Sequence, residues 1–370
     1  MNPESYNQGA KDVFLAKIRA DFDAVENQAL KSFSIYEQYS LIGTDPSAMT
    51  LFTNISDVSD DGSRAVWRHV GTTGVQSQGK RSAGGTYPQA TFIRNYETVV
   101  LDPDEQDANE FTVPEEREMA EGRQYKNVLN RAQKILTKMD RTNIADPFEV
   151  FNYAFTAPSS YPTRLFARGN NGLDGNNTSL GERLVSIQHA RADGGTTQSN
   201  AVQSAGNARA FGVDAYWAAR EQGATLKDDV GEPMPLFGGM VTIVVPPANG
   251  LVRSAVEING STFEPGNANN QINVQKGQLG RMISSPDLLV ANYDATISNT
   301  SQWFIVDETG RDPEVGTGLI SISFVPMQTR VERDSATDSV KYKIKQTKLY
   351  GFVDWRNILG SKGNGAAYSA

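Results

Sequence analysis

Residues 71–86, GTTGVQSQGKRSAGGT, carry a single large apolar side chain, Val75. Such a stretch cannot bury a core, so any order it has must come from a neighbour. On either side lie strand candidates, Ala65-Val-Trp-Arg-His-Val70 and Thr91-Phe-Ile-Arg-Asn-Tyr-Glu-Thr-Val-Val-Leu101. Two strands around a polar tip predict a long hairpin arm over 62–101. Folds that are apolar and self-contained throughout are thereby excluded.

The rest of the 370-residue chain is long enough for about two domains, or for one large elaborated fold. Hydrophobic residues make up 38% of it, enough for a core. With 35 basic and 43 acidic residues the net charge is −8, a poor match to uniform nucleic-acid coating. There is no cysteine, which removes disulfides, thiolate metal sites and cysteine nucleophiles together. His69 and His189 are the two histidines, so a triad or multi-histidine metal site would have to use them. No apolar run approaches the ~20 residues of a membrane helix, and MNPESYNQGAKDVF lacks the basic-then-apolar pattern of a signal peptide. Neither a membrane partner nor a cofactor is expected.

Tyr6 to Phe33 has loosely helical apolar spacing and reads as an arm needing a partner. DPDEQDANE, 102–110, is acidic; a calcium loop there lacks EF-hand spacing and its glycine, and a solvated turn is the simpler reading. Thr112 and Glu115 have capping-box spacing. Apolar residues follow at Tyr125, Val128, Leu129, Ala132, Ile135, Leu136 and Met139. That is one stripe of a helix, and from 113 to 141 it would run roughly 43 Å. Thr142 to Pro147 should interrupt it, with a second helix from Asp146-Pro147 through Phe155.

Beyond a long loop over 156–181, Arg183–Ala190 reads as a short strand and Asn200–Gln222 as an Ala-rich helix. The run 240–247, MVTIVVPP, is β-branched and ends in two prolines, as a buried central strand would. Leu251–Ile258 reads as a short helix. Strands are expected at Gln302–Asp307, Gly318–Val325, Val340–Lys345 and Tyr350–Trp355, and the tail GSKGNGAAYSA is too polar and small to pack. Strict alternation in Val340–Lys345 puts Lys341, Lys343 and Lys345 on one face and Val340, Tyr342 and Ile344 on the other. That lysine row suits nucleic acid or an acidic partner, or is a solvated sheet face. Phosphate loops, GxSxG elbows and HExxH motifs are absent from the sequence. His189 is either a base at a strand end or, more simply, structural. Trp67 and Trp355 read as core anchors.

The order of these parts resembles the major capsid proteins of tailed bacteriophages, the α+β HK97-like fold. The similarity runs from about residue 60 onward. It is carried by LDGNNTSLGERLVSIQHARADGGTTQS (173–199), VTIVVPP followed by LVRSAVEI, SPDLLVANYDATISNTSQWFIVDETGRDP (285–313) and GFVDWRNILGSKG (351–363). The resemblance implies an N-terminal arm over 1–58 and an extended E-loop hairpin over 59–112. A P-domain with its spine helix would follow over 113–200, an A-domain over 201–328, and P-domain closing strands and tail over 329–370. It further implies a non-enzymatic subunit that self-assembles as hexamers and pentamers into an icosahedral shell around double-stranded DNA. That shell would form in the bacterial cytoplasm and become the virion capsid, with a portal, and with DNA touching its inner face without sequence specificity. Ordinary domain lengths leave no room for a built-in scaffolding segment, so a separate scaffolding protein is expected. Lys80 and Arg81 at the hairpin tip, with Lys341, Lys343 and Lys345, are the candidate intersubunit contacts. The later loop ERDSATDS has no asparagine, so a Lys80–Asn isopeptide bond is not expected. An encapsulin-like compartment shell or a tail-tube subunit is the alternative, and a carbohydrate-processing enzyme would need paired carboxylates in a cleft.

Overall fold

The computed structural model describes residues 43–45, 48–55, 59–60, 65–76, 91–101, 107–114, 134, 138, 142–143 and most of 145–368. The gaps in the last stretch are 163, 169–180, 192–194, 229–230, 235, 266–271, 309–317 and 335–338. In chain order the early strands are β1 (Gly43–Asp45), β2 (Thr53–Ile55), β3 (Ser59–Asp60), β4 (Ala65–Gln76), β5 (Thr91–Leu101), β6 (Asp107–Pro114) and β7 (Leu165–Phe166). The later ones are β8 (Gln203–Ser204), β9 (Asn207–Ala208), β10 (Val241–Val244), β11 (Leu279–Ile283), β12 (Trp303–Val306), β13 (Leu319–Asp334), β14 (Ser339–Phe352) and β15 (Ile358–Ser361). Helix α1 covers 145–152, α2 Val213–Ala224 and α3 Leu251–Gly260. The architecture is mixed α+β, as expected.

The chain divides into two compact units, one of residues 1–36, 106–145 and 325–347, the other of 37–105, 146–324 and 348–370. The second unit is built on a five-stranded sheet ordered β1-β11-β10-β12-β15. Strand β10 is its central strand, parallel to β11 and antiparallel to β12. All four of its residues are buried. A strand covered on both faces reads as a continuous apolar run, which is why VTIV was legible. Trp303 and Phe304 of β12 are fully buried; the Trp303 indole N–H donates to the Arg209 carbonyl at 2.9 Å, and Phe304 packs on Phe151 and Phe155. Helix α2 buries Ala215, Tyr216, Ala219 and Gly223, and α3 buries Leu251, Ala255 and Ile258.

Several expectations are corrected. Residues Asp107–Pro114 form a strand paired antiparallel with β14, from Asp107↔Gln346 to Pro114↔Ser339. The Thr112 capping box therefore does not start a helix, because cross-strand pairs such as Val113↔Val340 and Phe111↔Tyr342 outweigh a local cap. Thr142 and Asn143 are helical, as are 145–152, so the expected break before Pro147 is not seen among the described residues. The apolar stripe from Tyr125 to Met139 lies outside those residues; Lys134 and Lys138 are helical and exposed. Arg183–Ala190 forms no strand beyond a single bridge from His189 to Gln198, and helix α2 begins only at Val213. The expected Tyr350–Trp355 strand is the end of β14.

The tail packs. Strand β15 pairs with β12, and Gly360 is what admits it: a Cβ there would lie 2.6 Å from Cδ1 of Phe304. Beyond it, the Ala208 amide donates to the Ala366 carbonyl at 2.8 Å, and Tyr368 stands against Phe155. Gly351, paired with Phe166 across β14 and β7, has no such slack, since a Cβ would collide with the Phe166 carbonyl oxygen. Gly351→Ala should therefore lower unfolding free energy by about 1–3 kcal/mol in urea titration, whereas an unchanged midpoint would mean that the two backbones do not approach this closely.

Candidate assembly elements and the buried polar hub

The lysine row sits on a defined strand pair in the first unit. Lys341 stands opposite Thr112, Lys343 opposite Glu110 and Lys345 opposite Ala108. The intervening Val340, Tyr342 and Ile344 stand opposite Val113, Phe111 and Asn109. Lys343 is half-buried and Lys345 exposed. Lys343 and Glu110 are thus opposite charges in directly facing positions, an arrangement that favours this register. One residue further, Gln346 is buried and exchanges two hydrogen bonds with helical Asn143: Asn143 Nδ2 donates to Oε1 at 3.1 Å, and Gln346 Nε2 returns one to Oδ1 at 3.0 Å. The amide pair fastens β14 to a helical turn within this unit.

Paired strands lie on both sides of the polar stretch 71–86, but β4 extends further than the expected Ala65–Val70 and takes in its first residues, Gly71–Gln76. β4 and β5 run antiparallel from Ala65↔Leu101 to Gln76↔Thr91, with an irregularity between Thr72 and Gly74. Together with β3 they make a three-stranded sheet that, among the described residues, shares no strand with the other sheets. The connecting residues, with Lys80 and Arg81, lie outside the described residues, so the structure brings neither of them to the lysine row.

One dense buried polar arrangement in the second unit is centred on Asn200, a residue not singled out from the sequence. Asn200 is fully buried. Its Nδ2 donates to the carbonyls of Leu184 at 2.8 Å and Ile358 at 3.0 Å. Its Oδ1 accepts from the Ser186 amide at 2.9 Å and faces His189 Nε2 at 2.9 Å, so that nitrogen carries a proton. The His189 ring lies flat on Trp355, centroids 3.8 Å apart and planes 10° apart. The Arg356 guanidinium lies over the same indole, 5.0 Å from its centroid. Arg356 also pairs with Asp354 at 3.0 Å. Burial works against the Asp354 charge, yet Arg356 and Arg168 hold its carboxyl below the usual range. His189 Nδ1 lies 3.5 Å from Glu182. Among the described residues no hydroxyl nucleophile bonds to His189, and its place is structural: it joins 182–189 to 200 and 355. Within the segment 173–199, Leu184, Ser186 and His189 contribute to this hub, and Asn200 follows the segment directly. A signal existed, since Asn200 directly precedes the apolar pair Ala201-Val202, but it reads equally as a helix start.

A second buried polar group lies on α1. All its residues are buried, including Asp146, Glu149 and Asn152, so these must find partners inside. Glu149 stands between Phe148 and Val150, and an acid in so apolar a run was the available signal.

No protein-family model matches the chain, and no curated protein matches it. Solved structures give distant likenesses. The capsid of the cyanophage P-SCSP1u is 12% identical, with 87% of this chain and 89% of that one covered and a TM-score of 0.44. The capsid of an empty GTA particle is 12% identical over 88% and 90%, at 0.45. A virus-like particle from Pyrococcus furiosus is 9% identical over 92% and 97%, at 0.38. All three stand below 0.5, and the reading of function rests on the chain's own residues.

Loss of the Asn200 carboxamide leaves two carbonyls, one amide and the His189 ring with unmet hydrogen bonds. Asn200→Ala should destabilise the fold by about 3 kcal/mol or more, seen as an early calorimetric transition. A shift of less than ~1 kcal/mol, the net worth of one hydrogen bond, would contradict the hub.

Proposed function

We propose that the chain is a major capsid protein, a structural subunit that assembles with copies of itself into a closed shell around phage DNA. The observation that carries this reading is the β3-β4-β5 sheet. Two strands of 12 and 11 residues flank a polar segment that cannot bury a core. Ribbons of two or three strands are marginal alone, and β5, which pairs on one side only among the described residues, offers an edge that invites a further partner. A second copy of the chain supplies such a partner at every position of a symmetric shell. The hairpin is then the arm that reaches a neighbour, with Lys80 and Arg81 at its tip. The division into arm, hairpin, spine-helix domain, axial domain and closing strands belongs to the same proposal. So do hexamers and pentamers, a portal, a separate scaffolding protein, assembly in the host cytoplasm, and DNA on the inner face.

The lysine row fits a charged contact at a subunit boundary or the lumen. Each exposed pair is worth only ~0–1 kcal/mol, but a shell repeats it at every subunit. Electron microscopy of the purified, expressed protein should show closed shells. The variant with Lys341, Lys343 and Lys345 changed to Gln should yield fewer, most clearly at low salt, where the native attraction is least screened. Dispersed monomers of the unaltered chain under all conditions would overturn the capsid reading; equal yields from the variant would remove the lysines from it.

A further inference from the structure

We propose that Glu149 is a proton-operated latch that holds residues 286–299 against helix α1. The geometry is specific. Glu149 Oε1 accepts from Asn152 Nδ2 at 2.9 Å and from the Asn292 backbone amide at 3.0 Å. Oε2 is buried and has no hydrogen-bond partner. Asn152 is fully committed nearby. Its Nδ2 also donates to the Asp287 carbonyl at 2.8 Å, and its Oδ1 accepts from Asn299 Nδ2 at 3.3 Å and Gln302 Nε2 at 3.4 Å. Gln302 Oε1 is a second buried acceptor left over. The cluster therefore holds more acceptors than donors, and a proton on Glu149 supplies the missing donor while removing a buried charge.

The charged and titratable surroundings do not favour a carboxylate. On its own helix and the turn after it, Glu149 has Asp146 and Tyr153. From the facing segment come Asp287, Tyr293 and Asp294. Asp146 accepts from Tyr293 Oη at 2.9 Å and has Arg164 at 3.7 Å, so the nearby cation is already engaged. Burial pushes the Glu149 carboxyl up to about 7, with Asp146 adding to the rise and the Asn292, Asn152 and Tyr293 hydrogen bonds opposing it. The same surroundings push the Tyr153 phenol up to about 12. Asp294 is half-buried and its carboxyl is held low by hydrogen bonds from Thr296, so it stays charged as Glu149 titrates.

The sign follows from linkage. With the segment docked the carboxyl titrates near 7; released to water it titrates near its ordinary 4.5. Docking is therefore tightest below pH 4.5, weakens as pH rises towards 7 and levels off above it. Over that window the opening equilibrium should rise on the order of a hundredfold. The latch acts within one subunit and does not depend on whether shells form.

Hydrogen exchange of the full chain between pH 5 and 8, corrected for intrinsic rates, tests this. Peptides covering 286–299 should lose protection by about tenfold per pH unit up to 7, then level off, while 303–306 in β12 stays unchanged. Glu149→Gln presents the same acceptor and an added donor, and should keep 286–299 protected at every pH. Protection of the unaltered segment that is equal at pH 5 and 7, or a pH slope retained in Glu149→Gln, would overturn the latch. If that variant fails to fold, the carboxyl's carbon-13 resonance in the unaltered protein decides, with a midpoint near 7 expected and one near 4.5 contradictory.

Discussion

The carboxamide of Asn200 is the contact on which the second unit's closure depends. It binds the carbonyls of Leu184 and Ile358, the Ser186 amide and His189 from one side chain. These groups lie up to 158 residues from Asn200 in sequence. Strand β15 can join the edge of the central sheet only when its first residues are fixed there, and the Gly360 amide completes the join by donating to the Asn200 carbonyl at 3.1 Å. A buried amide satisfied on both its donor and acceptor sides specifies one arrangement, since any other leaves orphaned polar groups. The sheet's edge is thereby occupied from within the chain.

The β3-β4-β5 sheet has the opposite character. It is long, shares no strand with the other sheets among the described residues, and is joined through a segment with few apolar side chains. The contrast between a sheet whose β15 edge is covered from within the chain and a ribbon that pairs no further among the described residues fits the proposed self-assembling subunit. One part must fold before assembly, and another must keep its hydrogen-bonding edge for a partner.

The sequence made the central strands legible because burial on both faces writes a continuous β-branched run, as in Val241–Val244, and a strand rich in aromatics, as in Trp303–Val306. Helix α3 was legible from its apolar spacing. The start of the long helix was misread because Thr112, Pro114 and Glu115 carry a local cap signal while the competing strand pairing with 339–346 lies over 220 residues away. The tail was misread because glycine and serine look like a loop until the partner is known; Gly360 is small because Phe304 needs its space. Asn200 and Glu149 carried only weak local signals, an Asn before an apolar pair and an acid within an apolar run, and neither signal shows how many partners the buried side chain will have. The lysine row was legible as a pattern, and its facing residues on β6 were not.

The division between a self-sufficient sheet and partner-dependent strands is the central claim, and hydrogen exchange on assembled shells against dissociated subunits tests it most directly. Assembly should add at least tenfold protection, about 1.4 kcal/mol, in peptides from 65–76 and 91–101. Peptides from 241–244, 303–306 and 358–361 should be equally protected in both states. Gains spread evenly over the central sheet, or none in the hairpin strands, would contradict the account.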